Sequence, residues 1–156
     1  MSAVKVDWAC LCLGEMSSYQ LFELLRVRQN VFIIEQSCIY SDIDNHDLSC
    51  WHLLGYGHNS ELNAYCRLLK PQTIYNEATI GRVLVKKEYR GGGVARGLML
   101  EAHRRCEQIF KSKAVRLNAQ VYLKKFYEDM GYRCVSAPYS EDGIMHVEML
   151  REDYSN

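Results

Sequence analysis

Residues 79 to 110 constrain this chain more than any other stretch. Ile80 to Val85 is an apolar run rich in β-branched residues and reads as a buried strand, followed by a short polar turn. From Gly93 the pattern becomes that of a long helix: Val94, Leu98, Ala102, Cys106 and Ile109 recur at spacings of four, four, four and three. Arg96, Glu101, Arg104, Arg105 and Gln108 fall elsewhere on the circumference, so one side of this helix packs on a sheet.

Gly91, Gly92 and Gly93 join the two elements. Without Cβ atoms the backbone there can turn sharply and a ligand can approach the amides closely. Those amides, the orphan N–H groups of the first helical turn and the positive end of the helix dipole favour an anion such as a pyrophosphate. Glycines also precede helices simply because the chain must turn, and the neighbouring pattern narrows the choice. A dinucleotide fingerprint beginning at Gly91 would need glycine where Arg96 stands, and no G-x-x-x-x-G-K-[ST] occurs.

At 156 residues and 48% hydrophobic, the chain is read as a single domain over 1–156, long enough to bury roughly 70% of its unfolded surface. The 19 basic and 19 acidic residues leave no global field for nucleic acid or an acidic membrane. Charge is uneven locally: Arg82, Lys86, Lys87, Arg90, Arg96, Arg104 and Arg105 stand against Glu88 and Glu101, which suits a ligand carrying several phosphates and equally a solvated helix face. No apolar run approaches the roughly 20 residues that span a bilayer. Seven cysteines, an odd number without C-x-x-C spacing, in a chain opening on no signal pattern, are expected to be reduced thiols of a cytoplasmic protein.

Further strands are expected at residues 4–12, where Val4, Val6, Trp8, Cys10 and Cys12 alternate, and at 51–56, 62–69, 79–85, 114–119, 133–135 and 144–150. Ser17 and Gln20 make a capping box for a helix running to about Asn30. Arg28 falls on that helix's apolar face, either as a snorkelling side chain at the rim of the core or as a substrate or structural ion pair facing the cleft. His52 starts one strand and is read first as a hydrogen-bonded structural residue. Asp42, Asp44, His46 and Asp47 do not form a calcium loop: Asp47 and Leu53 occupy the places of its glycine and glutamate. No metal is expected. A second helix spans 121–130, and Phe126 and Tyr127 by spacing alone are core aromatics.

Arg90-Gly91-Gly92-Gly93-Val94-Ala95 resembles motif A, Q/R-x-x-G-x-G/A, of the GCN5-related N-acetyltransferases (GNAT), and Val85 to Arg90 resembles the family's V-x-P-x-Y-R with Lys87 in place of proline. Residues 28 to 44 resemble the R-x-x-V-F-V-V-E-Q-x-C-P-Y-x-D-I-D segment of the ElaA-like branch, with Ile39 for proline. Gln120 to Tyr132 resembles motif B, and Asp142 to His146 resembles D-G-I-P-H with Met145 for proline. The similarity runs from about Trp8 to Arg151.

That resemblance implies an α/β (α+β) fold: a mixed, mostly antiparallel sheet flanked by helices and splayed between two adjacent parallel strands. It implies acetyl-coenzyme A as cosubstrate, with pantetheine along Val83 and Val85, the thioester oxygen near the Leu84 amide, and the pyrophosphate at Arg90, Gly91, Gly92, Gly93, Val94, Ala95 and Arg96. Gln120, which stands where many relatives carry asparagine, and Tyr127 are assigned to the coenzyme as well. Direct transfer to a primary amine follows, on a small molecule or a peptide, with Tyr127 as general acid and Glu35 as preferred general base over His52 and His146. Arg28, Asp44, His52 and His146 are assigned to the acceptor side, and the resemblance leaves room for a homodimer. Two alternatives stand beside it. Arg28, Phe32, Asp44, Asp47 and Arg67 resemble the pattern of acyl-homoserine lactone synthases, and a coenzyme-binding module without turnover would share the glycine loop.

Overall fold

The computed structural model describes residues 4–152; residues 1–3 and 153–156 of the expected domain lie outside that range. Eight strands make one sheet: β1 (Asp7–Cys12), β2 (Trp51–Tyr56), β3 (Leu62–Leu69), β4 (Ala78–Val85), β5 (Val115–Gln120), β6 (Arg133–Cys134), β7 (Tyr139–Glu141) and β8 (Ile144–Arg151). Their order is β1-β2-β3-β4-β5-β8-β6, with β7 also on β8, and every join is antiparallel except that of β4 with β5.

Helix α2 (Val94–Phe110) crosses from β4 to β5, a connection that parallel neighbours require. It buries Val94, Leu98, Met99, Ala102 and Cys106 against one face of the sheet, where Leu53, Cys66, Leu68, Ile80, Leu117 and Met149 meet them. Leu98 is fully buried, so its truncation to alanine would cost about 2–5 kcal/mol. The short helix α3 (Lys124–Glu128) joins this core through Tyr127, ahead of Met130 and Tyr132.

The opposite face is covered by α1 (Ser18–Arg28), which packs Leu24 and Val27 against Leu54, Leu62, Tyr65 and Leu84. Its capping box forms as expected: the Gln20 amide donates to Ser17 Oγ at 3.1 Å, and the Ser17 amide donates to Gln20 Oε1 at 2.9 Å. The chain then departs from the expected end near Asn30. Residues Gln29–Glu35 continue as a π-helical segment, which buries Val31 and Phe32 and carries Glu35 and Gln36 onward to the far ends of β4 and β5. The second expected helix is shorter than its pattern, a tight turn over Val121–Leu123 followed by α3. Residues 139–141, expected to be loop, form β7 because they return as a hairpin onto β8.

Candidate acyl-coenzyme A site

β4 and β5 are joined at only two places, Ala78 with Val115 and Thr79 with Arg116. Beyond these, β4 stays with β3 and β5 turns wholly to β8, so Ile80–Val85 and Leu117–Gln120 diverge as the two sides of a wedge. Two contacts from the π-helical segment cross its mouth. Glu35 Oε1 meets Arg90 Nη1 at 2.5 Å, and Gln120 Nε2 donates to Gln36 Oε1 at 3.2 Å. Along β4 the pairing slips: Tyr65 faces Leu84 and Arg67 faces Gly81, so Arg82 and Val83 together oppose Cys66. This is a β-bulge, which bends the strand and disrupts its ladder locally.

At the wide end, β4 runs through a tight turn, Lys87–Tyr89, into the glycine loop. Gly91 and Gly93 hold φ values of 84° and 81°, a region that side chains with a Cβ seldom adopt, and a Cβ on either would meet no neighbour within 4 Å. Gly93 precedes α2 without any side-chain cap, so the first-turn amides of Val94, Ala95 and Arg96 are not claimed by a capping group. All three glycines, Arg90 and Arg96 are exposed, and Arg90 Nε donates to the Val85 carbonyl at 2.8 Å, tying the loop to the strand end. The geometry offers free amides, a helix dipole and basic side chains at one edge of the wedge.

Tyr127 is 4% exposed, with its ring set edge-on to Phe126 and Tyr132. Its hydroxyl has no hydrogen-bond partner among the described residues. Burial drives the phenol well above its ordinary range, with Cys66 and Tyr122 adding to the effect, so it keeps its proton throughout the neutral range. Val83 and Val85 turn their side chains to the α2 core and Leu84 to the α1 core, which leaves only their backbone for the wedge.

The acidic segment behaves differently from its reading as an acceptor wall. Arg28 is wholly buried: Nε donates to Asp42 Oδ2 at 2.9 Å, Nη1 to Asp47 Oδ1 at 2.6 Å, and Nη2 to the Asp42 carbonyl at 2.7 Å. Arg67 donates to both oxygens of Asp44 at 2.6 and 2.9 Å and to Asp47 Oδ1 at 3.1 Å. Burial alone would raise the Asp47 carboxyl, but hydrogen bonds from Arg28 and the Asp44 amide and the nearby guanidinium charges hold it down at about 2. His52 is 1% exposed; its Nε2–H donates to the Asp47 carbonyl at 3.0 Å and its Nδ1 accepts from the Tyr65 hydroxyl at 2.7 Å. Desolvation lowers its proton affinity, and the ring is neutral.

Arg28 and His52 therefore do not reach an acceptor. Arg28 is the structural ion pair of its two readings, and His52 the hydrogen-bonded core histidine. Asp44 is part-exposed but committed to Arg67. Asp47, Cys50 and His52 bring a ligand atom each within 4.8 Å of one another, yet two guanidiniums already occupy the carboxylate and both imidazole nitrogens are engaged. That environment repels a cation. All seven cysteines are free thiols, and no described helix is long and apolar enough to cross a membrane.

Glu35, read as a free base, is instead the carboxylate that closes on Arg90 of the glycine loop. His146 is placed more usefully: it pairs across strands with both Gln120 and Tyr139, stacks on the Tyr139 ring, and donates from Nδ1 to the Ile144 carbonyl at 2.7 Å. That bond leaves the Nε2 lone pair open, 3.9 Å from Glu141 Oε2. Sequence reasoning missed the polar face around it. Arg116, Asn118 and Gln120 alternate along β5, and Tyr75 donates to Asn118 Oδ1 at 2.8 Å and to Glu148 Oε1 at 3.2 Å. The period-two polar stripe in residues 116–120 was the signal for it. A cavity of about 490 Å³ opens beside this face, lined by Tyr75, Glu77 and Arg116 among others.

A family model for the acetyltransferase (GNAT) domain matches residues 32–152. Protein ElaA of Escherichia coli is 41% identical over 149 residues, covering 94% of this chain and 97% of that protein. The crystal structure of Escherichia coli ElaA superimposes with a TM-score of 0.87, covering 95% of this chain and all of that one. An acyl-CoA N-acyltransferase from Pseudomonas aeruginosa reaches a TM-score of 0.89 at 34% identity, again over 95% and 100% of the two chains. The AHL synthase LasI, at 14% identity and a TM-score of 0.75 over 94% of this chain and 89% of that one, shares the fold alone.

Proposed function

Because the chain belongs to the GCN5-related N-acetyltransferase family, in its ElaA-like branch, we propose that it moves an acetyl group from acetyl-coenzyme A directly to a primary amine. The observation that carries this reading is the wedge between β4 and β5 ending at an uncapped glycine loop. Acetyl-coenzyme A is the cosubstrate, its diphosphate on the amides from Gly91 to Arg96 and its pantetheine along the backbone of Val83 and Val85. The Leu84 amide is suited to stabilise the negative charge that grows on the thioester oxygen.

An alkylamine with a pKa near 10.4 is neutral in only about one molecule in 2500 at pH 7, a deficit of about 4.6 kcal/mol. A base near the acceptor therefore matters. His146 takes that role ahead of Glu35: its Nε2 is unengaged, and Glu141 stands where it can stabilise the imidazolium formed. The amine, freed of one proton by His146, attacks the thioester carbon; the carbon–sulfur bond then breaks, and the second proton that the nitrogen sheds ends on the departing thiolate, so amide and thiol are released. Tyr127 donates a hydrogen bond to that thiolate. Its raised proton affinity suits donation of a hydrogen bond better than outright transfer, because a phenol well above pKa 10 is a weak acid toward a thiol near 8.5.

The lactone-synthase alternative loses its main support, since Arg28, Asp47 and Arg67 are consumed in a buried network. The test is thiol release from acetyl-coenzyme A across polyamines, amino sugars, amino-acid amides and peptide amines, run beside calorimetry of coenzyme binding. Turnover with at least one amine is expected. Heat of binding without thiol release on any of them would instead indicate a coenzyme-binding module.

A further inference from the structure

Six non-glycine residues among those described have positive φ. Ser37, Ser60, Gln72 and Asp142 lie in turns or bends, and Lys111 ends α2. Arg82, at φ 51°, alone lies inside a strand, at the bulge of β4 opposite Cys66. A left-handed arginine in a strand is unfavourable and persists only where its surroundings over-determine it.

Those surroundings are specific. Arg82 Nε lies 2.8 Å from Asp42 Oδ1, Nη2 donates to the Asp42 carbonyl at 2.9 Å and lies 3.5 Å from Asp44 Oδ2. The guanidinium sits 5.3 Å from the centre of the Tyr40 ring, and the Tyr40 hydroxyl donates to the same Asp42 Oδ1 at 3.0 Å. The other oxygen of Asp42 is taken by Arg28, so the clamp on the bulge is anchored through a buried carboxylate to α1. One residue beyond Arg82 begin Val83 and Leu84, whose backbone borders the wedge.

We propose that Arg82 is a positioning residue: clamped by Asp42, it holds the β4 bulge in register and so fixes where the Val83 and Leu84 backbone meets the thioester. This rests on the acetyl-transfer reading for its effect on turnover, while its effect on the strand is independent of it. A second role for Arg82 as a direct acceptor contact would depend on its charge; the positioning role depends on the backbone angle, which the planar fork of the guanidinium maintains by gripping the Asp42 carboxylate and carbonyl together, a geometry a lysine ammonium cannot reproduce.

The full-length chain carrying Arg82→Ala, Arg82→Gly or Arg82→Lys separates these. Glycine adopts the positive φ without strain, whereas alanine and lysine do not. Arg82→Ala is expected to lower kcat for thiol release by about tenfold to a hundredfold, as small misplacements of a reacting group do, with the Kd for ADP, a probe carrying the diphosphate without the pantetheine arm, nearly unchanged because the glycine loop is untouched. Hydrogen exchange at residues 81–85 should quicken in that variant. Arg82→Gly should recover much of the lost kcat and slow the exchange again, and Arg82→Lys should resemble alanine. Equal rates and exchange in all variants and the parent would overturn the proposal, as would lysine outperforming glycine. Should Arg82→Ala not fold, the order of glycine over lysine decides alone. If the exchange pattern holds while the parent releases thiol with no amine, the positioning of the strand stands and the acetyl-transfer reading falls.

Discussion

The two regions that flank β4 are built on opposite principles. The glycine-loop side is exposed backbone: a loop of three glycines, a helix start with no side-chain cap, and one arginine tied to a strand carbonyl. The side under α1 is interlocked side chain: buried Arg28, Arg67, Asp42 and Asp47, with half-buried Arg82 and Asp44 at its edge. A diphosphate needs donors that any residue supplies, so that side tolerates variation such as Lys87 for proline. The interlocked side tolerates little, because a buried charge that loses its partner is stranded in a poorly solvating medium.

The sharpest break of that contrast is Arg28→Ala. It leaves Asp42 and Asp47 without their deepest partner and should cost about 3–5 kcal/mol in denaturant unfolding. Tyr127→Phe probes the proposed transfer step and should lower kcat by about a hundredfold, the low end for loss of an acid or hydrogen-bond donor, with acetyl-coenzyme A affinity intact by calorimetry. A turnover number that stays put while chemistry limits the rate would remove Tyr127 from the reaction.

Acid should loosen the interlocked side first. Asp47 titrates at about 2 when folded against an ordinary 3.8. The folded value is the depressed one, so its stabilising contribution is complete above about pH 5 and is lost as pH falls through 3.8 toward about 2. At about 1.36 kcal/mol per decade, discounted for residual screening, that contribution is about 1–2 kcal/mol, and Asp47→Asn should flatten this part of the unfolding profile. Gly93→Val tests the other side: an unfavourable φ and a new side chain at the amides should weaken coenzyme A binding about tenfold while costing about 1–2 kcal/mol of stability. The smallest effect belongs to Glu35→Gln, which removes a part-exposed pair with Arg90 and should cost about 0–1 kcal/mol, with the pH–rate profile unmoved. A shifted profile would return the role of base to Glu35.

Legibility in the sequence followed the same division. The strand, glycine loop and α2 were readable because turn chemistry and a 3.6-residue period are local properties, and the ElaA-like segment carried the fold. Arg28 was not readable, since an arginine on an apolar stripe looks alike whether it reaches water or is clamped from two sides. The pairing of Glu35 with Arg90, far apart in the chain, and the slip at Arg82 depend on how β3 and β4 align, which no single segment encodes. His146 was on the acceptor side in the sequence reading, but only the bond from Nδ1 to Ile144 distinguishes it from the other candidate bases.

The short junction between β4 and β5 has a mechanical consequence. By strand pairing, two residue pairs alone join the half of the sheet bearing β1 to β4 with the half bearing β5 to β8, so the sheet is two plates sharing a brief seam, bridged by α2. A coenzyme arm laid in the gap, as proposed, would act as a missing strand, fastening the plates along their length. Occupancy should therefore stiffen the whole body, and the gain in melting temperature on loading should track the length of the pantetheine arm rather than the adenine end.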